Sequence, residues 1–586
     1  MTDTAAAVTE TGRYRGAAPS EPPCAARAGR TGTARYKAVA VTASLSLLAA
    51  ACGSTTSAAH GSGPGSGAKA ASTTLVVGAD NGSPTLADNF NPFSPNARIG
   101  TSYMYEPLQY VNTLNGSYSP MLATSHRFVN PTTLQFTIRS GARWSDGKPI
   151  TPSDVLFTFD MLKKFPALDS AGIWKHVSSV TASGNTVTFV FSAPDVPFAQ
   201  VIASTVILPQ HVWSSVSDPA TFTNTSPVVS GPFKLGTFNP NQYTLVKNPQ
   251  CWQASKVAVT KVVFPALTGN QTSQLELARG QYSWATLFVP NINQDWVSKA
   301  PQYNHYWFPP GGTISLYMNL AKAPFDSLAF RKALSYGLDR SSIAAKAENG
   351  YVHQASQSGI LLPNLSRWLD PSLPNSGKVS YDPAKAKAML ASAGYKLSGG
   401  KLLSPSGQPV RFSILTPSGF SDWLQAAQVI EQELAKLGIT VTVSTPQYAG
   451  YSSALQNGQF DTALGGFGGS GSPYIDLHGL LASSLSAPVG QSAPSNYERW
   501  QSSSTDALLH TVATTTDPAA QKAAIYKLEG VMYHQLPVLA LFYGATWGEY
   551  STKNFVGWPT ASNPYAPPAP YGEAPLAIMT HLRPAG

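Results

Sequence analysis

Short β-type segments and amphipathic helical segments alternate along most of this chain, and that alternation limits the folds it can adopt. Residues 74–78 are rich in β-branched side chains, and Leu134, Phe136 and Ile138 alternate with polar residues at the period of a strand. Residues 422–437 carry apolar side chains along one helical face, and a strand-like run follows directly. Interleaved strands and helices are typical of α/β domains, so we predict an α/β fold.

Turn and cap residues indicate where several of these segments begin and end. Thr151 and Pro152, followed by an acid in the first turn, predict the start of a helix. Residues 180–191 contain a central Gly-Asn pair between alternating runs, which predicts a β-hairpin. Asp326 is predicted to cap a helix over residues 329–339.

The N-terminal region carries the marks of an export signal. Lys37 precedes an apolar run over residues 38–51, and three alanines lead directly to Cys52. A secretory signal has an apolar segment of about 7–15 residues with small residues at the cleavage site, whereas a membrane span needs about 20. The Ala-Ala-Ala-Cys end is similar to the lipobox of bacterial lipoproteins, in which the cysteine is acylated. We therefore predict lipidation at Cys52; an ordinary secretory signal with an incidental cysteine is the alternative.

Two N-terminal segments follow from this interpretation. Residues 1–51 are assigned to a signal peptide with an N-terminal extension. Residues 52–73 are assigned to the lipidated cysteine and a linker rich in Gly, Ser and Ala, a composition typical of flexible chain.

Charge and cysteine content exclude several classes of function. The net charge is +9, and residues 1–51 contribute six basic and three acidic side chains, which leaves +6 for the remainder. No basic run or stripe occurs there, so we predict no nucleic-acid partner. Once Cys24 and Cys52 are accounted for, Cys251 has no partner for a disulfide. The ten histidines lack the spacing of metal ligands, and we predict no metal and no cofactor.

Six short motifs occur in order between residues 105 and 340. They are Tyr105-Glu106-Pro107-Leu108, Arg143-Trp144-Ser145-Asp146-Gly147, Ser153-Asp154-Val155, Ser230-Gly231-Pro232-Phe233, Asn248-Pro249-x-x-Trp252, and Pro324-Phe325-Asp326 with Arg331-Lys332-Ala333-Leu334. Together they resemble the motifs of the family 5 extracellular solute-binding proteins of ABC importers, the dipeptide-, oligopeptide- and nickel-binding group.

This resemblance implies a bilobal, periplasmic-binding-protein-like fold of class II, in the large three-domain cluster, with discontinuous lobes and an inserted α+β subdomain. The implied limits are 74–103, 229–307 and 544–586 for lobe I, 104–228 for the inserted subdomain, and 308–543 for lobe II. The chain would cross between the lobes near residues 309–312 and 543–544, and the Gly and Pro at the first crossing suit a hinge.

The resemblance also implies which residues bind the solute. In peptide-binding members the end of the first strand contacts the ligand backbone, and residues 81–83 hold that place. Tyr448 lies where a strand after the lobe II helix supplies an aromatic that stacks on the ligand. Phe467 and Ser470 lie where the family has a Gly-Trp-x-x-Asp element, whose acid pairs with the free amine of a peptide. The implied ligand-binding set is Asn81, Gly82, Ser83, Tyr105, Trp423, Tyr448, Gly466, Phe467, Ser470 and Tyr474.

The predicted function is capture of an oligopeptide-type solute and its delivery to the membrane permease of an ABC importer, without catalysis. We predict a monomer, anchored by lipid to the outer face of the cell membrane. Because Ser470 replaces the acid, a charge-assisted contact of roughly 1.5–3 kcal/mol is missing, and an oligosaccharide or other neutral ligand is the alternative. A binding relative that does not deliver its solute is a further alternative. A secreted hydrolase is a remote one, because the sequence contains neither a G-x-S-x-G motif nor a metal-ligand cluster.

Replacing Cys52 by Ser tests the lipid anchor. We expect the variant to appear in the culture medium, because serine has no thiol to acylate, with solute binding intact. Immunoblots of membrane and medium fractions measure the distribution. Retention of the Cys52→Ser variant in the membrane fraction would contradict the anchor.

Overall fold

The computed structural model describes residues 73–79, 85–267 and 270–586. The predicted signal peptide, Cys52 with its linker, and the predicted site residues Asn81, Gly82 and Ser83 lie outside the described residues. Within the described part, no helix combines the length and apolar character needed to cross a membrane.

A seven-stranded sheet organises the first body of the molecule. Its central strand is the predicted one, Thr74–Gly78, which runs parallel to Lys261–Pro265 on one side and to Trp284–Ala285 on the other. In spatial order the strands are Asn304–Tyr306, Glu549–Ser551, Trp284–Ala285, Thr74–Gly78, Lys261–Pro265, Gln242–Lys247 and Phe233–Asn239. The sheet joins distant parts of the chain, and we call the body built on it lobe I.

A five-stranded sheet organises the second body, which we call lobe II. In spatial order its strands are Thr440–Ser444, Arg411–Leu415, Thr462–Phe467, Pro310–Met318 and Val538–Ala545. The helix Ser421–Ala435 connects the two parallel strands at one edge, so this part is a βαβ unit. It buries Ala427, Ile430 and Leu434, in agreement with the predicted apolar face.

A four-stranded antiparallel sheet forms a third body, the inserted subdomain. Its spatial order is Ala123–Asn130, Thr133–Ile138, Thr186–Phe191 and Val177–Ser183. The predicted alternation is confirmed, because Leu134, Phe136 and Ile138 are buried. The remaining strands pair two by two: Gln109–Asn112 with Ser117–Pro120, Lys396–Ser398 with Lys401–Leu403, and Phe555–Val556 with Arg583–Pro584. The residue limits of the three bodies stay a prediction.

Helices surround these sheets. The α-helices are Pro152–Lys164, Ile173–His176, Ala199–Ala203, Gln210–Trp213, Asn270–Ala278, Ile292–Asp295, Leu328–Gly337, Arg340–Ala347, Pro383–Ser392, Ser421–Ala435, Tyr448–Gln456, Pro473–Leu481, Ser503–Thr514, Pro518–Gln535 and Ala574–His581. Short 3₁₀ segments occur at Ile99–Tyr103, Pro166–Leu168, Val196–Phe198, Ala254–Lys256, Val297–Lys299, Ser366–Trp368, Pro374–Gly377 and Ser483–Leu485.

Two predicted helix starts have different outcomes. The first is confirmed: the helix begins at Pro152, and the Thr151 N–H donates to the Asp154 carboxylate at 2.8 Å. The second is wrong by one residue, because the N-cap is Ser327, whose hydroxyl oxygen accepts from the Phe330 N–H at 3.4 Å. Asp326 belongs to the preceding turn, where its N–H donates to a carbonyl oxygen, so the helix starts after it.

The two strands at which the chain passes between the lobes lie side by side. Pro310–Met318 and Val538–Ala545 are antiparallel neighbours in the lobe II sheet, with Pro310 opposite Ala545. Their register is irregular at two places, between Pro310 and Gly312 and between Ile314 and Ser315. The two strands are therefore hydrogen bonded to each other, and the first irregularity lies within the predicted crossing at residues 309–312.

The inserted subdomain and lobe II approach each other through backbone. Gly116 is the last residue of the turn between the hairpin strands Gln109–Asn112 and Ser117–Pro120, and its φ is +70°. A Cβ atom at this position would collide with the Gly471 carbonyl oxygen. Gly471 has φ +82°, and a Cβ on it would lie 3.0 Å from backbone atoms of Thr113 and Gly116. Only residues without a side chain allow this approach.

Replacing Gly116 by Ala tests whether this contact holds the two bodies together in solution. We expect the added methyl group to push the Gly471 carbonyl away, and small-angle X-ray scattering to show a larger radius of gyration. Gly184→Ala is the matched control, because Gly184 also has positive φ, +55°, but no atom lies within 4 Å of its Cβ position.

Both substitutions place alanine in the left-handed region, so we expect each to lower the free energy of unfolding by about 1–2 kcal/mol. A change of radius in the Gly116 variant alone supports the contact. Identical scattering curves for the two variants would contradict it.

Candidate functional site

Two side chains bridge the inserted subdomain and lobe II next to the Gly116–Gly471 contact. The Gln200 amide donates from Nε2 to the carbonyl oxygen of Ser470 at 2.6 Å. The Arg367 guanidinium donates to the carbonyl oxygen of Asn115. Both acceptors are backbone atoms, so the two sides are held without an ion pair at these contacts.

A cavity of about 660 Å³ lies where the hairpin, the lobe crossing, lobe II and the C-terminal segment meet. Its aromatic wall consists of Trp307, Phe308, Tyr351 and Tyr543. Its polar groups come from Asn115, His353, Gln354, Asn364, Ser376 and Lys378. The described residues that line it include no acid. Aromatic faces with a few amide groups suit both peptide side chains and sugar rings.

A second cavity, of about 390 Å³, shares Leu114 and Pro310 with the first. Gly311 and Gly469 contribute backbone from the lobe II side of this cavity. The remaining lining residues come from the inserted subdomain and the C-terminal segment: Tyr110, Val111, Thr113, Gln200, Ser204, Thr546, Pro567, Ala569, Tyr571, Gly572, Glu573 and Ala574. The two cavities together form the candidate functional site.

The loop after strand Thr462–Phe467 is held by a carboxylate from the following helix. Asp476 accepts the Gly469 N–H at 3.2 Å and the Ser470 N–H at 3.1 Å. Burial raises the pKa of Asp476, and these hydrogen bonds counteract that rise. The acid nearest to Ser470 along the chain is therefore engaged in holding the loop.

Aromatic residues of lobe II form a second predicted part of the site. Phe420 contacts Trp423 with ring centroids 5.3 Å apart and Tyr448 at 5.9 Å. Tyr451 lies 6.0 Å from Tyr448, and its hydroxyl donates to the Leu464 carbonyl oxygen at 2.7 Å. The Tyr448 side chain is 60% exposed, although it begins the helix Tyr448–Gln456 rather than lying on a strand. The structure thus brings Trp423 and Tyr448 together in one aromatic group.

The other predicted residues fall in three places. Gly466 and Phe467 end the strand Thr462–Phe467, and Tyr474 stacks on His478 in the next helix with centroids 5.3 Å apart. Tyr105 is 1% exposed, and its hydroxyl accepts from the Asn224 amide at 2.8 Å. Tyr105 is thus a core residue that borders only a small cavity of about 200 Å³. Its assignment to ligand binding stays a prediction.

Several residues of this site were not predicted from the sequence. Gln200 and Glu573 line the second cavity but are far apart in the chain. Gly116 lies in a recognisable Asn-Gly turn, yet the turn signal does not reveal that lobe II approaches it. These residues become neighbours only through tertiary packing.

Comparison with known proteins agrees with this architecture. The nickel-binding periplasmic protein of Escherichia coli is 26% identical over 424 residues, which cover 68% of this chain and 76% of that protein. The dipeptide-binding protein of the same organism is 24% identical over 434 residues, covering 70% and 77%.

Solved structures give the same result. The periplasmic oligopeptide-binding protein of an oligopeptide ABC transporter from Thermotoga maritima matches with TM-score 0.81 and 27% identity, covering 88% of this chain and 99% of that one. The crystal structure of that protein with mannohexaose bound matches with TM-score 0.73, covering 87% and 98%. The predicted bilobal α/β fold is thereby confirmed.

The family model for bacterial extracellular solute-binding proteins, family 5, matches residues 117–486, more than half of the chain. The chain therefore belongs to the family 5 extracellular solute-binding proteins of bacteria.

Proposed function

We propose that this protein is the receptor of an ABC importer, which captures an oligopeptide-type solute between its lobes and delivers it unaltered to a membrane permease. The observation that carries the proposal is the pair of adjoining cavities at the meeting of lobe II, the inserted subdomain and the C-terminal segment. The similarity to dipeptide- and oligopeptide-binding proteins supports this solute class.

Within this proposal the aromatic group of lobe II contacts the solute. Tyr448 and Phe420 are the exposed members, 60% and 39% exposed, and Trp423 packs behind them. Gly466, Phe467 and Ser470 present the end of a strand and its loop, which supply backbone hydrogen-bonding groups to an extended ligand. The aromatic rings offer area for side chains or rings of the solute.

An uncharged oligosaccharide is the second candidate solute. Ser470 provides no carboxylate, and Asp476 is engaged by the loop amides. The larger cavity is lined by aromatic and amide groups together with His353 and Lys378, with no acid among its described residues, and a structural relative is known with mannohexaose bound. These observations favour a neutral ligand for this part of the site.

We further propose that lipid on Cys52 keeps the monomeric receptor at the outer face of the membrane, next to its permease. The apolar run before Cys52 and the linker after it support this arrangement. The family is one of solute-binding proteins, which supports binding without chemistry.

A thermal-shift screen tests the proposed function. The panel contains di- to pentapeptides, mannohexaose and other neutral oligosaccharides, and a nickel–histidine chelate. A solute present at about 100 times its Kd should raise the free energy of unfolding by about 2.7 kcal/mol, which gives a visible shift of Tm. Chromatography of the recovered solute checks that it is unchanged. Binding of no member of the panel, or turnover of one, would overturn the proposal.

Tyr448→Ala tests the aromatic contact with the panel members that bind. We expect roughly 2- to 10-fold weaker binding by titration calorimetry, because one stacking contact is lost. Tyr381→Ala is the matched control, since Tyr381 is also exposed, at 37%, but does not belong to the aromatic group formed by Phe420, Tyr448 and Tyr451. Equal affinities in the two variants would remove Tyr448 from the site.

A further inference from the structure

We infer that Glu573 binds a positively charged amino group of the solute, in the second cavity of the site. This inference rests on the proposed function and narrows it to solutes that carry an ammonium group. Glu573 lies in the C-terminal segment, directly before the helix Ala574–His581, and lines both the 390 Å³ cavity and the 200 Å³ cavity beside Tyr105.

The carboxylate of Glu573 is positioned by neutral donors. Its Oε2 accepts the Val111 N–H at 3.2 Å, and the Ser204 hydroxyl is a second partner. A carboxylate has about four acceptor sites, so these two bonds leave acceptor capacity. Both partners belong to the inserted subdomain, which fixes the carboxylate against one wall of the cavity.

The electrostatic surroundings of Glu573 lack a cation. The described residues that line its 390 Å³ cavity include no Lys, Arg or His. Among the described residues around this cavity and the adjoining 660 Å³ cavity, Glu573 is the one acid. Burial raises its pKa to about 7, although the hydrogen bonds from the Val111 N–H and the Ser204 hydroxyl favour the charged form. An ammonium group entering the cavity would supply the missing positive charge.

The buried hydroxyl of Tyr110 lies close to Glu573. Tyr110 is 3% exposed and lines the cavity, and its hydroxyl has no hydrogen-bond partner among the residues that the structure describes. Burial and the nearby charge of Glu573 both raise the pKa of Tyr110, which indicates that the two groups are close. A buried polar group without a partner is costly, so this hydroxyl indicates that a hydrogen-bond donor is lacking beside Glu573.

The position of Glu573 also accounts for the missing acid of lobe II. Gly469, next to Ser470, lines the same cavity as Glu573. Gln200 lines it too, and donates to the Ser470 carbonyl oxygen at 2.6 Å. In this inference the amine contact that the resemblance implies at residue 470 comes instead from the C-terminal segment, which lines the same cavity.

Glu573→Gln tests this role, because glutamine keeps the side-chain length and an oxygen for the Val111 N–H but removes the charge. Titration calorimetry uses three probes: tetra-alanine, N-acetyl-tetra-alanine and mannohexaose. We expect about 10- to 100-fold weaker binding of tetra-alanine, and less than about 3-fold change for the two probes that have no ammonium group.

Glu433→Gln is the matched control. Glu433 is also buried, accepts a backbone N–H from Asp339 at 2.8 Å, and has a pKa raised to about 7 by burial. It lines neither cavity of the site, so we expect unchanged binding of all three probes.

The outcomes separate the inference from the proposed function. Tetra-alanine binding that Glu573→Gln leaves unchanged, or that weakens equally for the acetylated peptide, would overturn the role of Glu573 and leave the receptor function standing. Binding of mannohexaose but of neither peptide would also overturn it, because that ligand has no ammonium group. Binding of no probe, together with a silent solute panel, would overturn the proposed function itself.

Discussion

The whole arrangement depends on the backbone hydrogen bonds between the two strands that carry the chain from one lobe to the other. Pro310–Met318 and Val538–Ala545 are neighbours in one sheet, so neither passage can move without the other. The register of the pair is irregular between Pro310 and Gly312 and again between Ile314 and Ser315. The first irregularity lies at the Gly- and Pro-containing crossing that the sequence predicts as a hinge.

The lobes contribute unlike chemistry to the space between them. At the second cavity lobe II offers mainly backbone, through Gly311 and Gly469, on a loop that Asp476 holds by its N–H groups. The inserted subdomain and the C-terminal segment offer side chains, among them Gln200, Tyr110 and Glu573. In the proposed function, the charged and amide contacts to a solute in this cavity come from these side chains.

Much of the fold could be predicted because it is encoded locally. The alternation of Leu134, Phe136 and Ile138 and the capping residues at Thr151 act within a few residues, and the structure agrees with both. The one-residue error at Asp326 arose because acid and serine are both good N-caps, and only the preceding turn decides between them.

The candidate site was harder to predict from the sequence, because its contacts join residues that are hundreds of positions apart. The Gln200–Ser470 bond spans 270 residues and the Val111–Glu573 bond 462, and no periodicity or turn signal reports such pairs. Tyr105 shows the converse, a motif residue whose role in the described structure is to fill the core. Motif resemblance located the lobe II loop because that loop is a continuous stretch of sequence.

The contact between Gly116 and Gly471 affects the rate at which the inserted subdomain and lobe II can separate. Interdigitated side chains must leave one rotamer well and find another before two surfaces part. Gly116 and Gly471 meet through main chain, so their own separation requires no rotamer exchange; the side chains of Gln200 and Arg367 beside them must release their carbonyl acceptors. The closed contact excludes any larger residue at these two positions, yet neither glycine has a side chain that must rearrange when the contact opens.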